Sequence, residues 1–139
     1  MKLMNDKLAF FDTNILVYAF SDTEIDKQQI SRNILSTNES VISTQVLQEL
    51  ANILIRKFKI DYPVIIETIK ECIQNSYKIH LNDENTILKA CQLGKRYQFS
   101  FYDSLIIAAA LKSKCKILYS EDLQHQQTIE SLKIINPFL

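Results

Sequence analysis

The chain has 139 residues, 47% of them hydrophobic, which is the size of one ordinary domain with enough apolar material for a real core. Its 16 Lys plus Arg balance 16 Asp plus Glu, so the overall field does not advertise nucleic-acid binding, and any attraction for phosphate must be local. No run approaches the roughly 20 apolar residues of a membrane helix, and Asp6 and Lys7 break the stretch where a secretory signal would need its apolar region; a soluble, cytoplasmic protein is expected.

In chain order, the short apolar runs at 8–11 (LAFF), 40–43 (SVIS), 78–81 (KIHL), 116–120 (KILYS) and 133–135 (KII) have strand length and β-branched or aromatic content. Helical periods lie between them, at 15–20, about 26–35, 45–58, 62–75, 85–97 and 104–112. In 45–58, Val46, Leu47, Leu50, Ile53, Leu54 and Phe58 recur at three and four, opposite a polar stripe of Gln45, Glu49, Asn52 and Arg56. Strands alternating with helices of this length predict crossover units. The expected fold is therefore α/β, a three-layer sandwich in which about five short, mostly parallel strands are flanked by helices. One glycine and no low-complexity tract leave no place for a linker, so 1–139 reads as a single domain. In such folds the ligand crevice lies outside the carboxyl ends of the strands, where strand order reverses.

Four acids fall where that crevice should be. Asp12 directly follows the first strand and precedes a helix, so it either faces the crevice or caps the helix. Glu49 lies on the polar stripe, past the first turn and therefore not a cap, in a helix that starts after the second strand with Ser43 or Thr44 as its cap. Asp103 precedes SLIIAAAL, a segment without a polar face that suits a buried helix. An acid there is favoured by the helix dipole, and otherwise needs water in a cleft or a cation. Ser120, Glu121 and Asp122 follow the fourth strand as Asp12 follows the first. Neighbouring side chains diverge, so the local pattern does not choose between Glu121 and Asp122, and an Asx or ST turn accounts for the segment equally.

Several carboxylates in one crevice repel one another unless divalent cations sit among them. Oxygen donors without His or Cys point to magnesium or manganese and away from zinc. His80 and His125 form no ligand pair: His80 reads as a packing or surface residue at a strand end, and His125 as a loop residue. Cys72, Cys91 and Cys115, odd in number and set among apolar residues, read as reduced thiols packed in the core. Arg56, Lys57 and Lys59, with Lys95 and Arg96, are the local basic groups, on what otherwise reads as solvated helix surface.

The segments FFDTNILVY, VLQELANIL, FYDSLIIAAAL and LYSEDLQ, in this order and at these separations, resemble a PIN-domain nuclease of the kind found as the toxin of toxin–antitoxin pairs. The resemblance spans nearly the whole chain. It implies catalytic and metal-holding roles for Asp12, Glu49, Asp103 and Asp122, with Thr13 and Asn14 supporting the first turn. Ser120 falls on the hydroxyl position of the last motif, which favours Asp122 over Glu121. It further implies a ribonuclease using Mg²⁺ or Mn²⁺, cleavage that leaves a 5′-phosphate and a 3′-hydroxyl, and a homodimer. The implied partner is an antitoxin that inserts a basic side chain among the acids. Relatives often carry glycine near Gln126, where this chain reads Gln124, His125, Gln126, Gln127. Two other readings stand beside it: a receiver-like phosphotransfer module, and an inactive PIN-like domain that binds a partner. The first wants an acceptor aspartate ending a middle strand, whereas 40–43 runs into Ser43-Thr44 and 78–81 into Asn82-Asp83.

Overall fold

The computed structural model describes residues 7–139; the amino-terminal stretch up to Asp6 lies outside them. β1 (Leu8–Phe11) is buried from Ala9 onward and leads directly into α1 (Thr13–Phe20). α2 (Ile25–Thr37) returns the chain to β2 (Glu39–Ser43), which opens α3 (Thr44–Arg56). α4 (Tyr62–Asn75), with Pro63 in its first turn, leads to β3 (Lys78–His80). α5 (Glu84–Tyr97) and α6 (Phe101–Lys112) pack together before β4 (Ile117–Tyr119), and a terminal hairpin of β5 (Thr128–Ile129) and β6 (Leu132–Ile135) closes the sheet.

Among the described residues the sheet has six strands in the order β3-β2-β1-β4-β6-β5, all parallel except β5. The α/β sandwich is as expected from the alternating periods. The sixth strand is a difference: β5 has two residues, too few to show a period, and enters and leaves through Gln126 and Glu130, both at positive φ (69° and 54°) without being glycine. Gln126 thus occupies the left-handed region that glycine favours, which gives the expected glycine its physical reason.

α6 begins a turn earlier than the apolar run suggests. Ser100 caps it, its Oγ accepting from the backbone N–H of Asp103 at 3.2 Å, so Asp103 stands in the first turn rather than at the cap. Residues 104–110 of this helix are all buried, and Gly94 of α5 lets the two helices approach so closely that a Cβ there would lie 3.1 Å from Ser104 Oγ. Cys72 and Cys115 are buried thiols as expected, but Cys91 is exposed, because α5 turns Thr86, Ala90 and Leu93 inward instead.

Candidate active site

Strand order reverses at β1, which lies between β2 and β4. The register pairs Phe11 with Tyr119 and brings the next residues of the two chains, Asp12 and Ser120, side by side. The Asp12 backbone N–H donates to Tyr119 O at 3.0 Å, and Ser120 Oγ donates to Asp12 Oδ2 at 2.9 Å. Asp12 also caps α1, its Oδ1 accepting from the Thr13 N–H at 2.8 Å, so the cap and the crevice are served by one carboxylate.

A cleft of about 320 Å³ opens here, lined by Asp12, Thr13, Asn14, Gln45, Glu49, Asn52, Ile53, Asp103, Ile106 and Asp122. The structure therefore brings Asp12, Glu49, Asp103 and Asp122 to one place. Thr13 does more than support a turn: its hydroxyl donates to Glu49 Oε1 at 2.7 Å. Asn14 Nδ2 donates to Asp122 Oδ2 at 2.9 Å. Gln45 Nε2 bridges Glu49 Oε2 at 3.4 Å and the carbonyl of Tyr102 at 3.2 Å, and thereby ties α3 to the start of α6. Gln45 and Asn52 were not singled out from sequence as site residues, although the stripe that carries Glu49 contains both.

Glu121 turns away from the cleft. Its Oε1 accepts from Tyr18 Oη at 2.5 Å and its Oε2 from Lys27 Nζ at 2.6 Å. Burial works against its charge, but these two donors prevail and hold the carboxyl below its usual range. His80 closes β3 with a 2.8 Å hydrogen bond to Thr86 Oγ1, and His125 Nδ1 accepts from the backbone of Asn136 at 3.0 Å. Neither lines the cleft.

The carboxyl of Asp12 is pushed up to about 6. Burial is the main cause, and repulsion from Glu49 and Asp122 adds to it against the Thr13 and Ser120 hydrogen bonds. No ion pair among the described residues neutralises Asp12, Glu49, Asp103 or Asp122. Negative charge held against its own repulsion, among oxygen donors only, suits a hard divalent cation in kind. The side chains are not already gathered as ligands: among the described residues no three of His, Cys, Asp or Glu converge closely enough to hold an ion together. Glu49 is drawn to Thr13 and Gln45, and Asp122 to Asn14.

Parallel strands that end on a cleft of carboxylates drawn from separate elements define an acid-cluster α/β domain. The chain belongs to the PIN-domain family, whose sequence profile matches residues 9–130. Three solved structures share the fold. The VapC20 toxin of Mycobacterium tuberculosis, which cleaves the sarcin–ricin loop, is 15% identical with a TM-score of 0.67, over 82% of this chain and 89% of that one. A toxin–antitoxin complex from Klebsiella pneumoniae is 18% identical with a TM-score of 0.70, covering 93% and 97%. VapBC2 from Rickettsia felis, bound to a DNA fragment from its promoter, is 17% identical with a TM-score of 0.65, covering 91% and 96%. No curated protein matches the chain by sequence. Family membership leaves the receiver-like alternative without support. No helix among the described residues is long and apolar enough to cross a membrane.

Proposed function

We propose that the chain is the ribonuclease toxin of a toxin–antitoxin pair, a single PIN-like domain over 1–139 that cuts RNA internally in the cytoplasm with Mg²⁺ or Mn²⁺. The observation that carries this reading is the convergence of Asp12, Glu49, Asp103 and Asp122, from four elements, on one cleft at the switch point of the sheet. These four would hold the cation. When bound, it supplies a Lewis acid for the phosphate and lowers the pKa of water.

The chain's own groups set the stage for that chemistry. Ser120 holds one oxygen of Asp12, Thr13 and Gln45 hold the two oxygens of Glu49, and Asn14 holds Asp122, so each carboxylate has an orienting partner at the cleft, and cation binding would draw them together from these positions. Asp103 makes no described side-chain hydrogen bond, which leaves it to orient an attacking water as general base. The surplus of negative charge in the cleft also suits the basic side chain of an antitoxin. The three related structures include toxin–antitoxin assemblies, which supports such a partner here. For a homodimer, α4 offers Val64, Ile66 and Ile73, apolar residues that are about half exposed.

Structured RNA incubated with the protein should be cut when Mg²⁺ or Mn²⁺ is supplied and left intact in EDTA. Asp103→Asn should slow cleavage by a factor on the order of 100 to 10,000. Cleavage that persists in EDTA would overturn the metal requirement, and an unimpaired Asp103→Asn would remove that residue from the site. Copurification with a small DNA-binding protein encoded next to this chain tests the partner.

A further inference from the structure

We infer that Glu121, gripped by Lys27 and Tyr18, is a positioning residue that sets the orientation of the loop carrying Ser120 and Asp122 into the acid cleft. The inference rests on the ribonuclease reading of that cleft. Glu121 stands between two residues whose side chains both serve the site: Ser120 donates to Asp12, and Asp122 accepts from Asn14. The segment bends at Glu121 to Leu123, with the Leu123 N–H returning to Ser120 Oγ at 3.3 Å, so anchoring Glu121 on the far side of that bend sets the direction in which its two neighbours face the cleft. The chain's one glycine is Gly94, so this loop has no glycine and depends on contacts for its course.

The contacts are unusually complete. Both oxygens of Glu121 are engaged, Oε1 by Tyr18 Oη at 2.5 Å and Oε2 by Lys27 Nζ at 2.6 Å, and its backbone carbonyl accepts from Asn136 Nδ2 at 3.3 Å. Lys27 in turn contacts Tyr18 Oη at 3.3 Å, and its ammonium lies over the rings of Tyr18 (4.8 Å) and Phe138 (5.3 Å). Those two rings meet edge to face at 5.2 Å. Residues from α1, α2 and the carboxyl-terminal segment therefore close around one carboxylate. The pair is half-buried, with side-chain exposures of 30% and 23% for Lys27 and Glu121, so it is held more firmly than a surface ion pair.

The test compares Glu121→Gln with Glu130→Gln, which breaks a second close ion pair, Lys89–Glu130 at 2.7 Å, away from the cleft. Mn²⁺ binding is measured by calorimetry, kcat and KM on structured RNA separately, and unfolding by heat. Glu121→Gln should weaken Mn²⁺ binding about 10- to 100-fold and lower kcat with KM unchanged. Glu130→Gln should leave both at wild-type values. Lys27→Arg, which keeps the charge, should restore most of the binding lost in Lys27→Met. If Glu121→Gln does not fold, Tyr18→Phe, which removes one hydrogen bond and keeps the ring, should show a smaller loss in the same direction. Wild-type Mn²⁺ binding in Glu121→Gln or Tyr18→Phe overturns the positioning role, as does an equal loss in Glu130→Gln. If the wild-type protein itself binds no Mn²⁺, or Asp12→Asn binds it equally well, the reading of the cleft falls and the positioning role with it.

Discussion

Asp12→Asn is expected to abolish RNA cleavage and, in the absence of metal, to make the protein more stable. The two effects have one source. In the fold the carboxyl titrates near 6, against 3.8 in the absence of the fold's influence, because burial and the neighbouring Glu49 and Asp122 disfavour its charged form. A group with a raised folded value favours the fold fully below the unfolded value and loses that contribution as pH rises through the folded one. The wild type should therefore be penalised relative to Asp12→Asn above about pH 6, by on the order of 2 to 3 kcal/mol, with the difference shrinking between pH 6 and 4 and absent below. The amide has the same volume and keeps an oxygen for the Thr13 N–H, while its Nδ2 takes the place of the oxygen that accepts from Ser120 Oγ, so that hydroxyl must turn and accept instead. Thermal unfolding of both proteins in EDTA at pH 7.5 and pH 4 checks this. Equal midpoints at pH 7.5 would show that Asp12 is not strained by its neighbours. Added Mn²⁺ should raise the wild-type midpoint and leave the variant's unmoved, since only the former has the full carboxylate set.

How far these residues were legible in the sequence depended on the range of the interactions that place them. LAFF followed by Asp12 is a local signal, a buried strand running into a helix cap, and the strand is found at Leu8–Phe11. The polar stripe that carries Glu49 was equally local, and it contained Gln45 and Asn52 as well, although spacing alone could not say that Gln45 would reach across to Tyr102. Glu121 and Asp122 could not be separated by pattern. What turns Glu121 away is a lysine 94 residues distant in sequence and a tyrosine 103 distant, and no periodicity encodes such pairs. The start of α6 was misplaced because Ser100 and Asp103 are both good caps, and the choice falls to whichever has the backbone N–H of the other's turn to accept. β5 was missed because two residues between non-glycine turns carry no signature, and its existence depends on pairing with β6.

Ile107→Ala should be the most damaging single truncation on the scaffold that holds Asp103. Ile107 is fully buried in α6, a helix enclosed on all sides in which residues 104–110 have no exposed face. Its environment cannot readily collapse around a smaller side chain, because the helix is fixed against α5 at the Gly94–Ser104 contact and against the sheet. The expected loss is about 2 to 5 kcal/mol for Ala and about 0.5 to 1.5 kcal/mol for Val, against a total stability on the order of 5 to 15 kcal/mol. Ile73 on α4, 47% exposed, provides the contrast. Ile73→Ala should leave the unfolding free energy of the monomer within about 0.5 kcal/mol, and should shift sedimentation toward monomer if α4 forms the proposed dimer contact. Urea unfolding of the three variants, with sedimentation of Ile73→Ala, decides both points. A loss at Ile107 no larger than at Ile73 would mean that α6 is not the rigid support on which Asp103 depends.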